Sequence, residues 1–208
     1  MKINEEAIAR LREKIVGRMS GKRLAHTLAV EKMAIKIGSL YCPEKLDVLA
    51  VSALLHDITK ELGVDEHVAI CEQYGAKYTN DNILAPKTLH AITAAALIKV
   101  EFPEFNCEEV VSAVRYHTTG RDGMTLTEKI IYIADYIDET RTFPDCVTLR
   151  EMFWGVDIES MSREERLSHL DCVVLRSLEM TIMDLESSGS VINPDTHAAR
   201  NYVKTNLI

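Results

Sequence analysis

The 208-residue chain has no Cys-x-x-Cys pair, no linker rich in proline, glycine or serine, no excess of basic charge and no apolar run approaching a membrane span. Each absence excludes something. The five cysteines, Cys42, Cys71, Cys107, Cys146 and Cys172, are odd in number and scattered, which argues against a disulfide framework or a cysteine zinc knuckle and for a reducing compartment. Without a compositional break the expectation is a single domain over residues 1–208. A net charge of -8 argues against general binding to nucleic acid or to an anionic membrane, while leaving room for a small phosphorylated ligand held by a few basic residues. The polar, acidic start Met1-Lys2-Ile3-Asn4-Glu5-Glu6 and the lack of a span lead to an expected cytoplasmic location.

Strands are also missing from the pattern: no strand-length alternation stands out, nor any repeat at the roughly 20–50-residue period of solenoids. With hydrophobic residues at 47% and charged residues at 27%, the chain has the composition of a globular protein with a sizeable core. What is present is helical periodicity, so the expected fold class is all-α. Ser20 reads as the N-cap of a helix running toward Leu40, on which His26, Val30, Met33 and Ile37 share the inward face. Pro43 is placed to open the next helix, an apolar run that ends abruptly at His56-Asp57. A short helix from about Asp65 ends at Gly75, and a polar loop is expected through Asn82. Small residues from Ala91 to Ala96 predict a tightly packed helix with His90 near its start. Asn106 with Glu109 reads as a capping box for a helix whose inward face carries Val110, Val114 and His117. Thr125 with Glu128 and Ser162 with Glu165 have the same spacing, and Asn193-Pro194 opens a last helix. Asp135 lies in a nearly all-apolar helix and needs a compensating partner, because an unpaired buried charge costs several kcal/mol.

A lone His-Asp dipeptide is uninformative: 7 His and 12 Asp in 208 residues predict roughly 0.4 by chance. The ordered set His26, His56-Asp57, His90, His117 and Asp135 is another matter, since every member sits on or at the end of a core helix. Four imidazoles and two carboxylates can surround one or two ions, and these donors suit iron, manganese or zinc. A carboxylate can bridge two ions, and Asp57 is best placed for it. His67, His169 and His197 have polar neighbours and are left out of the set.

The order H…HD…H…H…D resembles the HD-domain superfamily of metal-dependent phosphohydrolases. More narrowly, the chain resembles the YqeK family, symmetrical bis(5'-nucleosyl)-tetraphosphatases that cleave diadenosine tetraphosphate into two ADP. The stretches that carry this are Leu54-Leu55-His56-Asp57-Ile58-Thr59-Lys60, Leu89-His90, Tyr116-His117-Thr118-Thr119-Gly120, Met124-Thr125, Ile131-Tyr132-Ile133-Ala134-Asp135-Tyr136-Ile137 with Arg141, Leu149-Arg150, and Asn193-Pro194-Asp195-Thr196 with Asn201-Tyr202. The match runs from about residue 20 to 203, with a motif-bearing core over about 20–142 and a helical extension over about 143–208.

The resemblance implies that His26, His56, Asp57 and Asp135 bind the principal metal, iron being typical and manganese, cobalt or zinc the alternatives. His90 and His117 then serve a second metal or contact phosphate, and with Asp57 and Lys60 they form the expected catalytic group. Lys60 and Arg141 are the nearest cations to meet the departing nucleoside diphosphate, joined by Thr118 and the Gly120 turn, by Arg23 one turn before His26, and by Thr196 and Asn201 at the nucleotide end. The expected partner is a small dinucleoside polyphosphate, and a homodimer is compatible with the chain. Two departures touch the phosphate pocket: Thr59 replaces a commonly small residue, and Ile137-Asp138-Glu139-Thr140-Arg141 replaces the usual Glu-Pro-x-Arg ending. The competing readings are a hydrolase of nucleoside mono- or triphosphates and a non-catalytic nucleotide-binding module. A cyclic-di-GMP phosphodiesterase is disfavoured because no Gly-Tyr-Pro follows the HD segment.

Overall fold

A computed structural model describes residues 3–207, and among them eleven α-helices occur and no strand. In chain order they are α1 (Glu5–Val16), α2 (Gly21–Tyr41), α3 (Leu46–Leu55), α4 (Val64–Tyr74), α5 (Asn80–Leu84), α6 (Leu89–Glu101), α7 (Glu108–Tyr116), α8 (Leu126–Ile137), α9 (Pro144–Trp154), α10 (Arg163–Ser187) and α11 (Pro194–Asn206). None of the described helices is long and apolar enough to cross a membrane.

The helix at the centre is α3. Every residue from Leu49 to Leu55 is buried, so it has no solvent face, and α1, α2, α7 and α8 pack around it. Leu49 and Ala53 join an apolar cluster with α2, α8, α9, α10 and α11, while Ala50, Val51, Leu54 and Leu55 join a second cluster with α1, α6 and α7. Each fully buried leucine contributes about 1.5–3 kcal/mol, enough to hold a ten-residue helix that is marginal in water by itself. At Gly38 of α2 an added Cβ would lie 2.3 Å from Leu49 Cδ1, so the absent side chain lets α2 lie close against α3.

Local capping chemistry sets most helix starts as the sequence predicts. Ser20 caps α2 by accepting from Arg23 N, and capping boxes open α8 at Thr125 and α10 at Ser162. Glu128 of the α8 box is buried and accepts from Thr125 N at 2.7 Å and Arg121 Nε at 2.9 Å, so one carboxylate closes the helix start and anchors the preceding loop. Three expectations are corrected. Asn106 does not cap α7: the N-cap is Cys107, and Asn106 N instead donates to Pro103 O in a 3₁₀ turn set by Pro103. Pro43 opens a separate 3₁₀ turn, Pro43–Lys45, before α3. The stretch expected as a polar loop through Asn82 contains α5, and Asn82 is buried, bonded to Thr79 and Thr88.

Candidate metal centre

The two central helices nearest the site end in the same way. At the end of α3 the ring of His56 folds back so that Nδ1 donates to Ala53 O at 2.6 Å, and at the end of α7 His117 Nδ1 donates to Val114 O at 2.7 Å. Each ring thereby satisfies a carbonyl that the helix end leaves open, and its Nε2 is aimed forward off the helix. The negative end of the α3 dipole, with the Asp57 carboxylate just beyond it, makes a point where a cation is favoured.

Five structural elements bring the remaining groups to that point: His26 from α2, His90 from the first turn of α6, Asp135 from α8, and the ends of α3 and α7. All six side chains are buried. Asp57 divides its oxygens between them. Oδ2 lies 3.5 Å from His56 Nε2 and 3.7 Å from His26 Nε2, while Oδ1 lies 3.1 Å from His90 Nε2 and 3.6 Å from His117 Nε2. Asp135 Oδ1 lies 2.9 Å from His26 Nε2 and 3.8 Å from His56 Nε2. Three trios, His26/His56/Asp57, His56/His117/Asp135 and Asp57/His90/His117, each hold their ligand atoms within 4.8 Å of one another.

The donors fit a divalent ion. His26 Nε2, His56 Nε2 and Asp57 Oδ1 are buried and without a hydrogen-bond partner, a costly state for three polar atoms in one place. Two atoms on one ion at bond lengths near 2.1 Å stand about 3.0–3.4 Å apart, close to the spacings found here. Protonation states also suit the role. Burial pushes His56 down to about 4 and His90 down to about 3, so both are neutral near pH 7. For Asp57 and Asp135 burial acts upward, but the site's neighbouring groups outweigh it, and both carboxyls are held well below the usual range: His56 with His117 and His90 for Asp57, Arg141 with His26 for Asp135.

Three cations stand at the edge of this group. Arg23 Nη1 donates to Asp57 Oδ2, Lys60 Nζ lies 3.8 Å from Asp57 Oδ1 and 3.1 Å from His90 Nε2, and Arg141 Nη2 donates to Asp135 Oδ1 at 2.5 Å. Their side chains are 24%, 29% and 30% exposed, so they span from the buried ligands to solvent. Thr118 Oγ1 joins them, 3.2 Å from His90 Nε2 and 3.1 Å from His117 Nε2. Thr196 and Asn201 belong to none of the three trios. Thr196 is buried in the first turn of α11, and exposed Asn201 lines a surface hollow of about 340 Å³ with Asp122 and Tyr202. Their helix nevertheless packs on the loop that carries Thr118, since a Cβ on Gly120 would lie 2.8 Å from Ala199 Cβ.

Two sets of residues escaped the sequence reading. Asp138 is fully buried with Oδ2 3.3 Å from His26 Nδ1, and its only signal was a second acid three residues after Asp135. His67, set aside for its polar neighbours, is buried and heads a chain of hydroxyls: its Nδ1 lies 2.9 Å from Thr93 Oγ1, which donates to Thr59 Oγ1, which donates to His90 O. Thr59 thus ties the turn after His56-Asp57 to the backbone of His90.

Comparison with known proteins agrees with this geometry. The HD domain family model matches residues 23–140, which include all six ligand candidates. The chain is 38% identical over 135 residues to a symmetrical bis(5'-nucleosyl)-tetraphosphatase of Staphylococcus aureus, covering 64% of this chain and 68% of that one. It is 30% identical over 201 residues to the protein of the same name from Bacillus subtilis, covering 96% of both. A crystal structure from Clostridium acetobutylicum, described as that of a predicted HD superfamily hydrolase involved in NAD metabolism, superposes with a TM-score of 0.82 at 28% identity over 95% of this chain and 96% of that one. With its ligand order, its helical frame and these relatives in agreement, the chain belongs to the HD-domain family, in the branch that contains the symmetrical bis(5'-nucleosyl)-tetraphosphatases.

Proposed function

We propose that this protein is a metal-dependent hydrolase that cleaves diadenosine tetraphosphate symmetrically into two ADP. The observation that carries the reading is the division of Asp57, one oxygen toward His26 and His56 and the other toward His90 and His117, beside three cations that reach solvent. The relatives' names supply the substrate class.

His26, His56, Asp57 and Asp135 would hold the principal ion, and His90 and His117 together with Asp57 would hold a second. The nitrogen and oxygen donors, without thiolate, suit iron, with manganese, cobalt or zinc as alternatives. A divalent ion bound there lowers the pKa of water toward neutrality and polarises a phosphoryl oxygen. The chain's own residues do the rest. Arg23, Lys60 and Arg141 balance the charges of Asp57, Asp135 and Asp138, so bound ions leave the pocket net positive toward a polyphosphate. Lys60 and Arg141 meet the charge that develops on the departing ADP, and Thr118 offers a hydroxyl to a phosphate oxygen. Thr196 and Asn201 bound the nucleotide end, a role supported by the packing of α11 on the Gly120 turn. Treating the chain as one domain belongs to the same reading, supported by the apolar cluster that α10 and α11 share with α2 and α8.

The test is product identification. Purified protein supplied with iron, manganese or cobalt should turn diadenosine tetraphosphate into ADP alone. AMP with ATP, or no turnover with any of the three metals, would overturn the reading.

A further inference from the structure

We infer that Asp138 is the positioning residue for His26, holding its proton on Nδ1 so that Nε2 is presented to the metal centre. The inference rests on the proposed reading of His26 as an ion ligand.

The other two forward-aimed rings take their orientation from backbone carbonyls, Ala53 O for His56 and Val114 O for His117. His26 lies inside α2, where the carbonyls are taken by the helix, and its Nδ1 faces a different pair of atoms: Asp138 Oδ2 at 3.3 Å and Thr140 Oγ1 at 3.4 Å. Thr140 Oγ1 gives its own hydrogen to Asp138 Oδ1 at 2.5 Å, so toward His26 it can only accept. Both neighbours of Nδ1 are therefore acceptors, so a ring that gives up its Nε2 hydrogen to an ion keeps the one on Nδ1. A ring fixed in this tautomer has its lone pair on Nε2, the atom 2.9 Å from Asp135 Oδ1 and without a hydrogen bond of its own.

Asp138 is itself held. It follows α8 in extended conformation, Oδ1 also accepts from Thr140 N at 2.8 Å, and Oδ2 is buried with no hydrogen bond formed. Arg150 from α9 pins the backbone around it, donating to Ile137 O at 2.8 Å, to Asp138 O, and to Arg141 O at 2.7 Å. The same clamp sets Arg141, whose Nε lies 3.6 Å from Asp138 Oδ2. A buried carboxylate oxygen lacking a partner is costly, and the Nδ1 hydrogen of His26 is the group placed to meet it. Carboxylates behind ligating histidines fix ring orientation and raise ligand basicity.

Asp138→Asn is the discriminating variant. The amide oxygen keeps both donations from Thr140, while the amide nitrogen turns a donor toward Nδ1 and drives the hydrogen to Nε2, the ligand atom. Co²⁺ affinity of the chelator-treated full chain, read by competition with a chromophoric chelator, should fall roughly 10–100-fold, while a cooperative urea transition of the metal-free variant shows that it still folds. Wild-type Co²⁺ affinity in this variant overturns the inference. His26→Ala separates the two levels: if it leaves Co²⁺ affinity unchanged, the ligand reading and this inference fall together, and if it weakens binding while Asp138→Asn does not, this inference falls alone. The wild-type chain gives an independent reading. Loaded with Zn²⁺, its His26 ring should show a protected Nδ1 proton in ¹⁵N-resolved NMR, and ligation through Nδ1 overturns the inference.

Discussion

Arg141 places Nη2 2.5 Å from Asp135 Oδ1, and that same oxygen lies 2.9 Å from His26 Nε2. One carboxylate oxygen thus faces a guanidinium on one side and the proposed ligand atom of His26 on the other. Arg141 also donates from Nε to Asp135 O at 3.0 Å, so its orientation is fixed by two bonds to one residue. Asp135 in turn raises the pKa of Arg141, keeping it charged throughout.

The first prediction follows from that shared oxygen. Arg141→Ala removes the countercharge of a buried carboxylate and should destabilise the chelator-treated chain by about 2 kcal/mol, below the roughly 3–5 kcal/mol of a fully buried broken pair because the arginine is partly exposed. Metal saturation should shrink the loss, since the ion supplies positive charge to the same oxygen. Thermal melts with and without Mn²⁺ check this, and an equal loss in both would contradict it.

Metal binding should release a proton. Burial alone would lower His26, but Asp135 and Asp138 beside its ring raise it to about 9, whereas His56 and His90 are already neutral. At pH 7.5 the ion must displace about one proton, from His26. Calorimetric titration in buffers of different ionisation enthalpy measures it, and the release should fade above pH 9.

The same shifts set the pH dependence of metal-free stability. A raised pKa stabilises below the unfolded value of about 6.5 and loses that contribution as pH rises toward 9, which is the case of His26. Lowered pKa values act oppositely: the unfolded chain takes protons first, so His56 and His90 cost stability as pH falls from about 6.5 toward 4 and 3. Urea unfolding of the chelated chain should therefore be hardest between pH 6 and 7, roughly where the two opposing effects meet. A midpoint that rises steadily from pH 5 to 9 would contradict it.

Asp57 belongs to two of the three trios, and His90 to one. Asp57→Ala should abolish hydrolysis and weaken metal binding by more than the roughly 10–100-fold that loss of an outer partner costs. His90→Ala should lower the metal content while leaving the His26/His56/Asp57 trio loaded. Metal analysis of the two purified variants distinguishes them, and equal metal content would count against the bridging role.

Gly120 has a φ of 64°, and a Cβ there would lie 2.8 Å from Ala199 Cβ. Gly120→Ala should cost about 1–2 kcal/mol for the left-handed backbone and a further 1–3 kcal/mol, approximately, for overpacking. Adding Ala199→Gly should recover only some of the packing part, because Met124 Sδ stays 3.0 Å from the same Cβ and a glycine inside α11 costs about 1 kcal/mol. Denaturant unfolding of the single and double variants measures both parts.

Much of the fold was legible because its signals are local. Ser20, Thr125 with Glu128, and Ser162 with Glu165 act within four residues, and His26 shares an inward face with Val30, Met33 and Ile37 through helical periodicity alone. The cap at Asn106 failed because a neighbouring proline turn claimed its backbone first. His67 belongs to none of the ligand trios, as its polar neighbours in sequence suggest, but α6, brought against it in the fold, buries it on Thr93, a setting those neighbours do not reveal.

The sequence by itself determined the all-α class, most helix starts and the identity of the six ligand candidates, since residue type, period and capping reside within a few neighbouring positions. Only the tertiary structure decided how those groups divide: which oxygen of Asp57 faces which imidazoles, that Arg141 shares an oxygen of Asp135, and that Asp138 and Thr140 stand behind His26, Thr140 lying 114 residues along the chain from it. Such contacts depend on side-chain direction and on the packing of α2, α3, α7 and α8 to within an ångström, and no local preference encodes them.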